Sequence, residues 1–414
     1  MKILHICTGW PLSYKGGITN YVRVLATTQH KAGEDVYVLG APDNNEYEFR
    51  YIQYTSDKIV PFTYSPLVDK EALNTVQNLL DKEKFDIIHI HALEYIDWDL
   101  YSIIKNYHYV VSLHDYCFIC PRVYMYTPNN EVCEKYDELK CQRCISYLER
   151  FKLVRRIVNK MNRMYGISFK VPYIKQNIST IRYTKSLELL NNADMILPVS
   201  YKVEEIYRNS GITTKSKVLH IGNESADNYK DEYELLDGEH KIKIVFLGRL
   251  TSYKGADLFI RIAKELYGNN NVEFHFLGDS GEYKEIIEKV GINDHGRYNP
   301  SDLSALLKDY DIGMVLSVWH DNGPQVVMEL LNNHIPVIGT RMGGIPDFVN
   351  EDNGYLFDPY LEDEIMGVVN FLNKLTIEQV NCMKRNIRRT ITTQEHYTQL
   401  MQVYSEVLNC DSNC

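Results

Sequence analysis

A chain of 414 residues is long enough for two domains, each with its own core. A formal net charge of -10 and a pI near 5.8 argue against nucleic acid as the main partner. No apolar run is long enough to span a bilayer, and Met1–Cys7 is too short for a signal peptide, so the expected place is the cytoplasm, with most of the nine cysteines reduced.

Lys2–Cys7 is predicted as a buried strand, followed by a loop ending in Gly16-Gly17 and a helix over about 18–29. Paired glycines before a helix let backbone come close to a ligand, and the helix N-terminus favours an anion. Asp35–Leu39 reads as a second strand, 69–81 as a helix, and Asp86–His91 as a third strand with His91 at its carboxyl end. Tyr109–Leu113 follows and runs into His114-Asp115. Strands alternating with helical lengths predict a parallel, doubly wound sheet whose ligands gather at the carboxyl ends of strands. His91 and His114 both fall at such ends. A lone histidine is more often structural, which is the alternative for His91, and a core hydrogen bond between His114 and Asp115 is the alternative for that dipeptide.

The next loop is rich in thiols. Cys120, Cys133, Cys141 and Cys144 have the number and spacing for a closed tetrahedral zinc site of structural type, with Cys117 to spare; free or redox-paired thiols fit the same spacing. Over 147–163, Tyr147, Phe151, Val154, Ile157, Val158 and Met161 fall near helical spacing among basic residues such as Arg150, Arg155, Arg156 and Lys160. In an acidic protein this basic amphipathic stretch suits anionic lipid headgroups or a lipid-diphosphate acceptor; an ordinary surface helix is the alternative. Strands are predicted at Met195–Val199 and Lys217–Ile221, and the polar run 223–240 reads as a linker.

The second half repeats the strand, turn and helix plan. Ile242–Leu247 leads into Gly248-Arg249-Leu250-Thr251-Ser252-Tyr253-Lys254-Gly255, Val272–Leu277 into Gly278-Asp279-Ser280-Gly281, and Ile312–Leu316 into Trp319-His320-Asp321-Asn322-Gly323-Pro324-Gln325-Val326 and a helix carrying Glu329. Arg249 can fork two phosphate oxygens and Lys254 can add a point charge, which together suit a diphosphate. The amides of Gly323, Gln325 and Val326, at the positive end of a helix, can hold an anion without a metal. Asp321 and Glu329, carboxylates beside a phosphate site, are expected to accept hydrogen bonds from hydroxyls. A nucleotide-linked sugar supplies both phosphate and hydroxyl groups.

In these segments the chain resembles the GT-B retaining glycosyltransferases of family 4, whose G-R-L-x-x-x-K-G segment binds the donor diphosphate and whose E-x7-E segment binds donor sugar and ribose. Asp321 departs from the family's first Glu by one methylene. The resemblance implies an α/β GT-B fold of two Rossmann-like domains facing a cleft: 1–230 for the acceptor, 231–393 for the donor, and a last helix, 394–414, packing back on the first domain. By resemblance, Gly17 faces the donor, His114 meets the donor sugar beside the reacting carbon, Asp115 is offered to the acceptor, Gly278 lies near the nucleotide, and backbone near Arg297 meets the base. The implied activity is a metal-independent hexosyl transfer from a UDP- or GDP-sugar to a glycan or lipid-linked acceptor in surface polysaccharide synthesis, at or near the inner membrane face. An epimerase on the same fold and a non-catalytic nucleotide-sugar binder are the alternatives. A dinucleotide oxidoreductase is disfavoured, because Gly-x-Gly-x-x-Gly is absent after the first strand.

Overall fold

A computed structural model describes residues 1–14, 16–54, 70–93, 99–144, 178–238 and 241–409; the basic stretch 147–163 lies outside the described residues. Met1–Val199, Val203–Leu219 and Tyr397–Cys414 make one compact unit, and Ser200–Lys202 with His220–His396 make the other.

The first unit is built on six parallel strands, β1 (Lys2–Cys7), β2 (Asp35–Gly40), β3 (Arg50–Gln53), β4 (Ile87–Ala92), β5 (Tyr109–Leu113) and β6 (Met195–Pro198). Their order is β3-β2-β1-β4-β5-β6. Strands β1, β2, β4 and β5 are buried almost throughout, as expected where helices cover both faces of a parallel sheet. The C-terminal helix Thr393–Asn409 contributes Tyr404 to this unit, its hydroxyl 2.6 Å from His89 Nδ1. The strand expected at Lys217–Ile221 does not form. Lys217 N donates to Ile196 O and Leu219 N to Pro198 O, yet only Ser216 makes a bridge, so the segment runs beside β6 without completing a ladder.

The second unit repeats the plan with β7 (Ile242–Arg249), β8 (Val272–Asp279), β9 (Asn293–Asp294), β10 (Ile312–Val315), β11 (Val337–Thr340) and β12 (Gly354–Phe357), ordered β12-β11-β10-β7-β8-β9. Alternation along β7 divides its side chains between two cores. Ile244 and Phe246 pack with Phe259, Phe274 and Phe276 on one side, while Val245 and Leu247 pack with Val327, Leu330 and Val337 on the other. The predicted linker 223–240 is not bare. Asn223 caps the short helix Glu224–Asp227, Lys230 O accepts from His334 Nε2 at 2.6 Å, and Leu236 exchanges hydrogen bonds with the Asn381 side chain, so polar contacts bind this run to the second unit.

In each sheet the strand order reverses once, between β1 and β4 and between β7 and β10. Open parallel sheets bind ligands in the crevice such a reversal opens at the carboxyl ends. The fold thereby fixes where to look for a site.

Candidate active site

In the second unit, the β7 crevice is shaped by a turn that only glycine can make. Gly255 has φ 85°, and a Cβ there would lie 1.9 Å from Leu316 O. This brings the 3₁₀ turn Ser252–Lys254 against the end of β10. Lys254 Nζ consequently reaches Asp321 Oδ2 at 3.4 Å, and Ser317 Oγ donates to the same oxygen at 3.0 Å. The Asp321 backbone is clasped from the other side. Gly344 N donates to Asp321 O at 2.7 Å, and Gly343, at φ 58°, approaches so closely that a Cβ would sit 2.0 Å from that oxygen. The Gly343-Gly344 turn after β11 is thus structural, and it holds the carboxylate-bearing loop in place.

Arg249 ends β7 with a side chain that is 73% exposed and lies 3.7 Å from Asp279 Oδ2. Arg297 Nη2 donates to the same Asp279 oxygen at 2.9 Å, and Gly278 N donates to Gly296 O, so the turn after β8 and the Arg297 loop form one piece beside Arg249. The helix Gln325–Asn332 begins at Pro324 with no side-chain cap. No acceptor among the described residues takes the N–H of Gly323, Gln325 or Val326. Open first-turn amides at the positive helix end attract anions. Two buried polar atoms in the same loops, Asn322 Oδ1 and Thr251 Oγ1, also lack a partner among the described residues.

Glu329 sits one helical turn further on. Its half-buried carboxylate has no hydrogen-bond or ion-pair partner among the described residues, and burial pushes its pKa up to about 7. Tyr298 lies close enough for that carboxylate to raise the phenol's pKa, after burial itself. Asp279, Ser317, Asn322 and Tyr298 were not singled out from sequence as functional. Asp279 alone carries a sequence signal, the Gly-Asp dipeptide that ends a predicted strand.

In the first unit, Gly17 is the exposed first residue of the helix Gly17–Lys31, after β1. His114 follows β5, with Nε2 3.1 Å from His91 Nδ1 and the Tyr21 ring at 4.7 Å. His91 is only 1% exposed, so the structure places it in the core and not at a ligand-facing end. Asp115 is engaged as well. Its Oδ1 accepts from Cys117 N at 2.8 Å, its carbonyl accepts from Tyr207, and burial raises its pKa, an arrangement that braces the turn after β5.

The four cysteines of the loop gather in one neighbourhood. Charge on Cys141 would be felt by Cys120, Cys144 and Cys133, and Arg122 Nε lies 3.1 Å from Cys144 Sγ. Burial pushes Cys120 up to about 11 and Cys141 up to about 12, so without a cation both are neutral thiols near pH 7. Among the described residues, the trio of ligand atoms within 4.8 Å of one another is a different one, His5, His89 and His91.

Residues 15–223 match Glycosyltransferase Family 4, and residues 230–390 match Glycosyl transferases group 1. The chain belongs to the group 1 glycosyltransferases. This glycosyltransferase is 23% identical over 391 residues to an uncharacterized glycosyltransferase of Methanocaldococcus jannaschii, covering 88% of this chain and 87% of that one. A shorter stretch of 134 residues, 30% of this chain and 25% of the relative, is 31% identical to a sulfoquinovosyl transferase of Arabidopsis thaliana. Among solved structures, HepE of Anabaena in complex with UDP superposes with a TM-score of 0.62 at 13% identity, over 98% of this chain and 100% of that one. Sucrose-phosphate synthase of Thermosynechococcus elongatus gives 0.63 at 13% identity, over 99% of each chain. The glycosyltransferase therefore has the two-domain α/β GT-B fold. Among its described residues, no helix is long and apolar enough to cross a membrane.

Proposed function

We propose that this glycosyltransferase moves a hexose from a UDP- or GDP-sugar to a glycan or lipid-linked acceptor, with retention of anomeric configuration and without a divalent metal, in surface polysaccharide synthesis. One arrangement carries the reading: Lys254, Arg249 and the amides of Gly323, Gln325 and Val326 lie at the β7–β10 reversal, with Glu329, whose carboxylate has no partner among the described residues, one helical turn beyond. Crystals of HepE contain UDP, and UDP with glucose, which supports a nucleotide sugar as the ligand.

In the proposed step the bond from the anomeric carbon to the diphosphate oxygen breaks while a bond to the acceptor oxygen forms on the same face. The acceptor's proton passes to the departing phosphate. Charge growing on the diphosphate is the main electrostatic demand, and preorganised cations and amides meet it best. Lys254 holds Asp321 through a long ion pair, so it can turn to a phosphate while Asp321 accepts from sugar hydroxyls. Glu329 takes the ribose hydroxyls, the backbone near Gly278 and Arg297 takes the base, and His114 and Gly17 are assigned to the donor's sugar side. The basic stretch 147–163 is assigned to anionic headgroups at the inner membrane face.

A donor screen over UDP- and GDP-sugars, with and without an acceptor extract, tests this reading. Nucleotide release that rises with acceptor supports it; conversion of the donor to its epimer with no net nucleotide release would indicate an epimerase, and tight donor binding with neither outcome would indicate a non-catalytic binder. Turnover is expected to persist in excess chelator. Loss restored by manganese would overturn the metal-free step.

The thiols of Cys120, Cys133, Cys141 and Cys144 are proposed to hold a structural zinc. Four thiolates would leave no open coordination position, so the ion would brace the loop after β5 and take no part in transfer. Elemental analysis of the purified protein is expected to give one zinc per chain, lost in the Cys141→Ser/Cys144→Ser double variant. A native protein without zinc would end that proposal.

A further inference from the structure

Within the first unit a line of side chains runs from the helix Gly17–Lys31 through the sheet to His114. Gln29 Oε1 lies 2.6 Å from His5 Nε2, His5 Nδ1 lies 2.9 Å from His91 Nε2, and His91 Nδ1 lies 3.1 Å from His114 Nε2. Gln29, His5 and His91 are almost completely buried. The line exists because β1 and β4 are adjacent, and their register slips between Ile6 and Cys7, beside His91. His5, His89 and His91 could suggest a metal centre. All six of their ring nitrogens are already in hydrogen bonds, those of His89 to Tyr404 and Ser112, so the cluster is a hydrogen-bonded chain.

A neutral imidazole has one N–H and one lone pair, so a chain of them must point its protons in a single direction. Burial holds His5 down to about 4, which keeps it neutral at ordinary pH. With Gln29 Oε1 accepting, His5 carries its proton on Nε2 and accepts at Nδ1. His91 then carries its proton on Nε2, and His114 must donate from Nε2 to His91 Nδ1. The lone pair of His114 is left on Nδ1.

We infer that the hydrogen-bonded line Gln29–His5–His91 sets which ring nitrogen of His114 carries the proton, making these three positioning residues for the sugar contact of His114. The inference rests on the role proposed for His114. A His114 locked with an unprotonated Nδ1 accepts from a sugar hydroxyl; the opposite tautomer would donate to it.

Nitrogen-15 spectra of histidine-labelled native protein distinguish the two tautomers, with the His114 signals assigned from a His114→Gln variant. The expected native result is His114 protonated at Nε2. In His91→Phe, which keeps the ring volume and removes both nitrogens, that preference should disappear, and kcat should fall about tenfold with the donor KM nearly unchanged. Gln29→Leu should have the same spectral effect should His91→Phe fail to fold, while His89→Gln, off the line, should leave the tautomer alone. Native His114 protonated at Nδ1, or a tautomer unmoved by either variant on the line, would overturn the inference. A His114→Ala variant with full turnover would instead remove the proposed role of His114, whatever its tautomer.

Discussion

Lys254→Ala is expected to lower kcat/KM about a hundredfold while leaving thermal stability nearly unchanged. The two effects separate because Lys254 is 39% exposed and its Asp321 contact is 3.4 Å long, so the ion pair contributes about 1 kcal/mol or less to folding. Asp321 also keeps the Ser317 hydroxyl at 3.0 Å when the lysine is removed. The missing cation should be felt chiefly where negative charge builds on the leaving diphosphate, and loss of one such group costs on the order of 3 kcal/mol. Arg249→Ala should behave similarly, since its side chain is mostly exposed and its nearest anion is Asp279 at 3.7 Å. Lys254→Arg is the useful control: it retains charge but not the compact ammonium, so partial activity is expected. Steady-state kinetics and a melting curve for each variant decide the matter. Unaltered turnover in both alanine variants would remove the diphosphate assignment, and a collapse of the melting temperature would mean that the pair is structural.

Glu329→Gln is expected to stabilise the fold at pH 8 and to weaken donor binding about a hundredfold. Burial raises the Glu329 pKa from 4.5 to about 7 in the folded chain. Between those two values the folded state binds this proton more firmly than the unfolded state. Stability from this group is therefore complete at acid pH, declines as pH rises from about 4.5 to 7, and is lost above that, by up to about 3 kcal/mol. Glutamine cannot ionise, so the variant should unfold at a higher temperature than the native protein at pH 8, with the gap closing near pH 4. Donor binding should move the other way. A carboxylate can accept from both ribose hydroxyls, so native affinity for UDP or GDP should rise as pH passes upward through 7, and the variant should lose that dependence. Calorimetric titration at pH 6 and pH 8, together with melting curves, checks both signs. A variant that binds nucleotide as well as the native chain would refute the ribose role, and one that is less stable at pH 8 would refute the desolvated carboxylate. The expected trade of stability for binding is the usual mark of a functional group held in an unfavourable place.

Local rules made much of this protein legible in the sequence. Strands β1 and β5 lie where their apolar runs predicted, and the cations and carboxylates around the β7–β10 reversal follow from side-chain chemistry, motif spacing and the family 4 resemblance. Strand β3 was missed because it is short and partly exposed, so its sequence carries little apolar patterning. The reach of Lys254 to Asp321 was not legible, since it depends on Gly255 passing against the Leu316 carbonyl.

The sequence by itself determined the alternation of strand and helix, the two glycine-rich turns, and the residue types able to meet a diphosphate, because periodicity and side-chain chemistry are local properties. Tertiary structure alone decided which of those groups stay open to a ligand and which are spent on the fold. His91 looked like a strand-end candidate, yet sheet order buries it between His5 and His114. Glu329 was a candidate from its spacing to Asp321, yet only its partly covered position, with no partner among the described residues, lifts its pKa. Burial and partners follow from which strands become neighbours, and that depends on contacts between residues far apart in the chain.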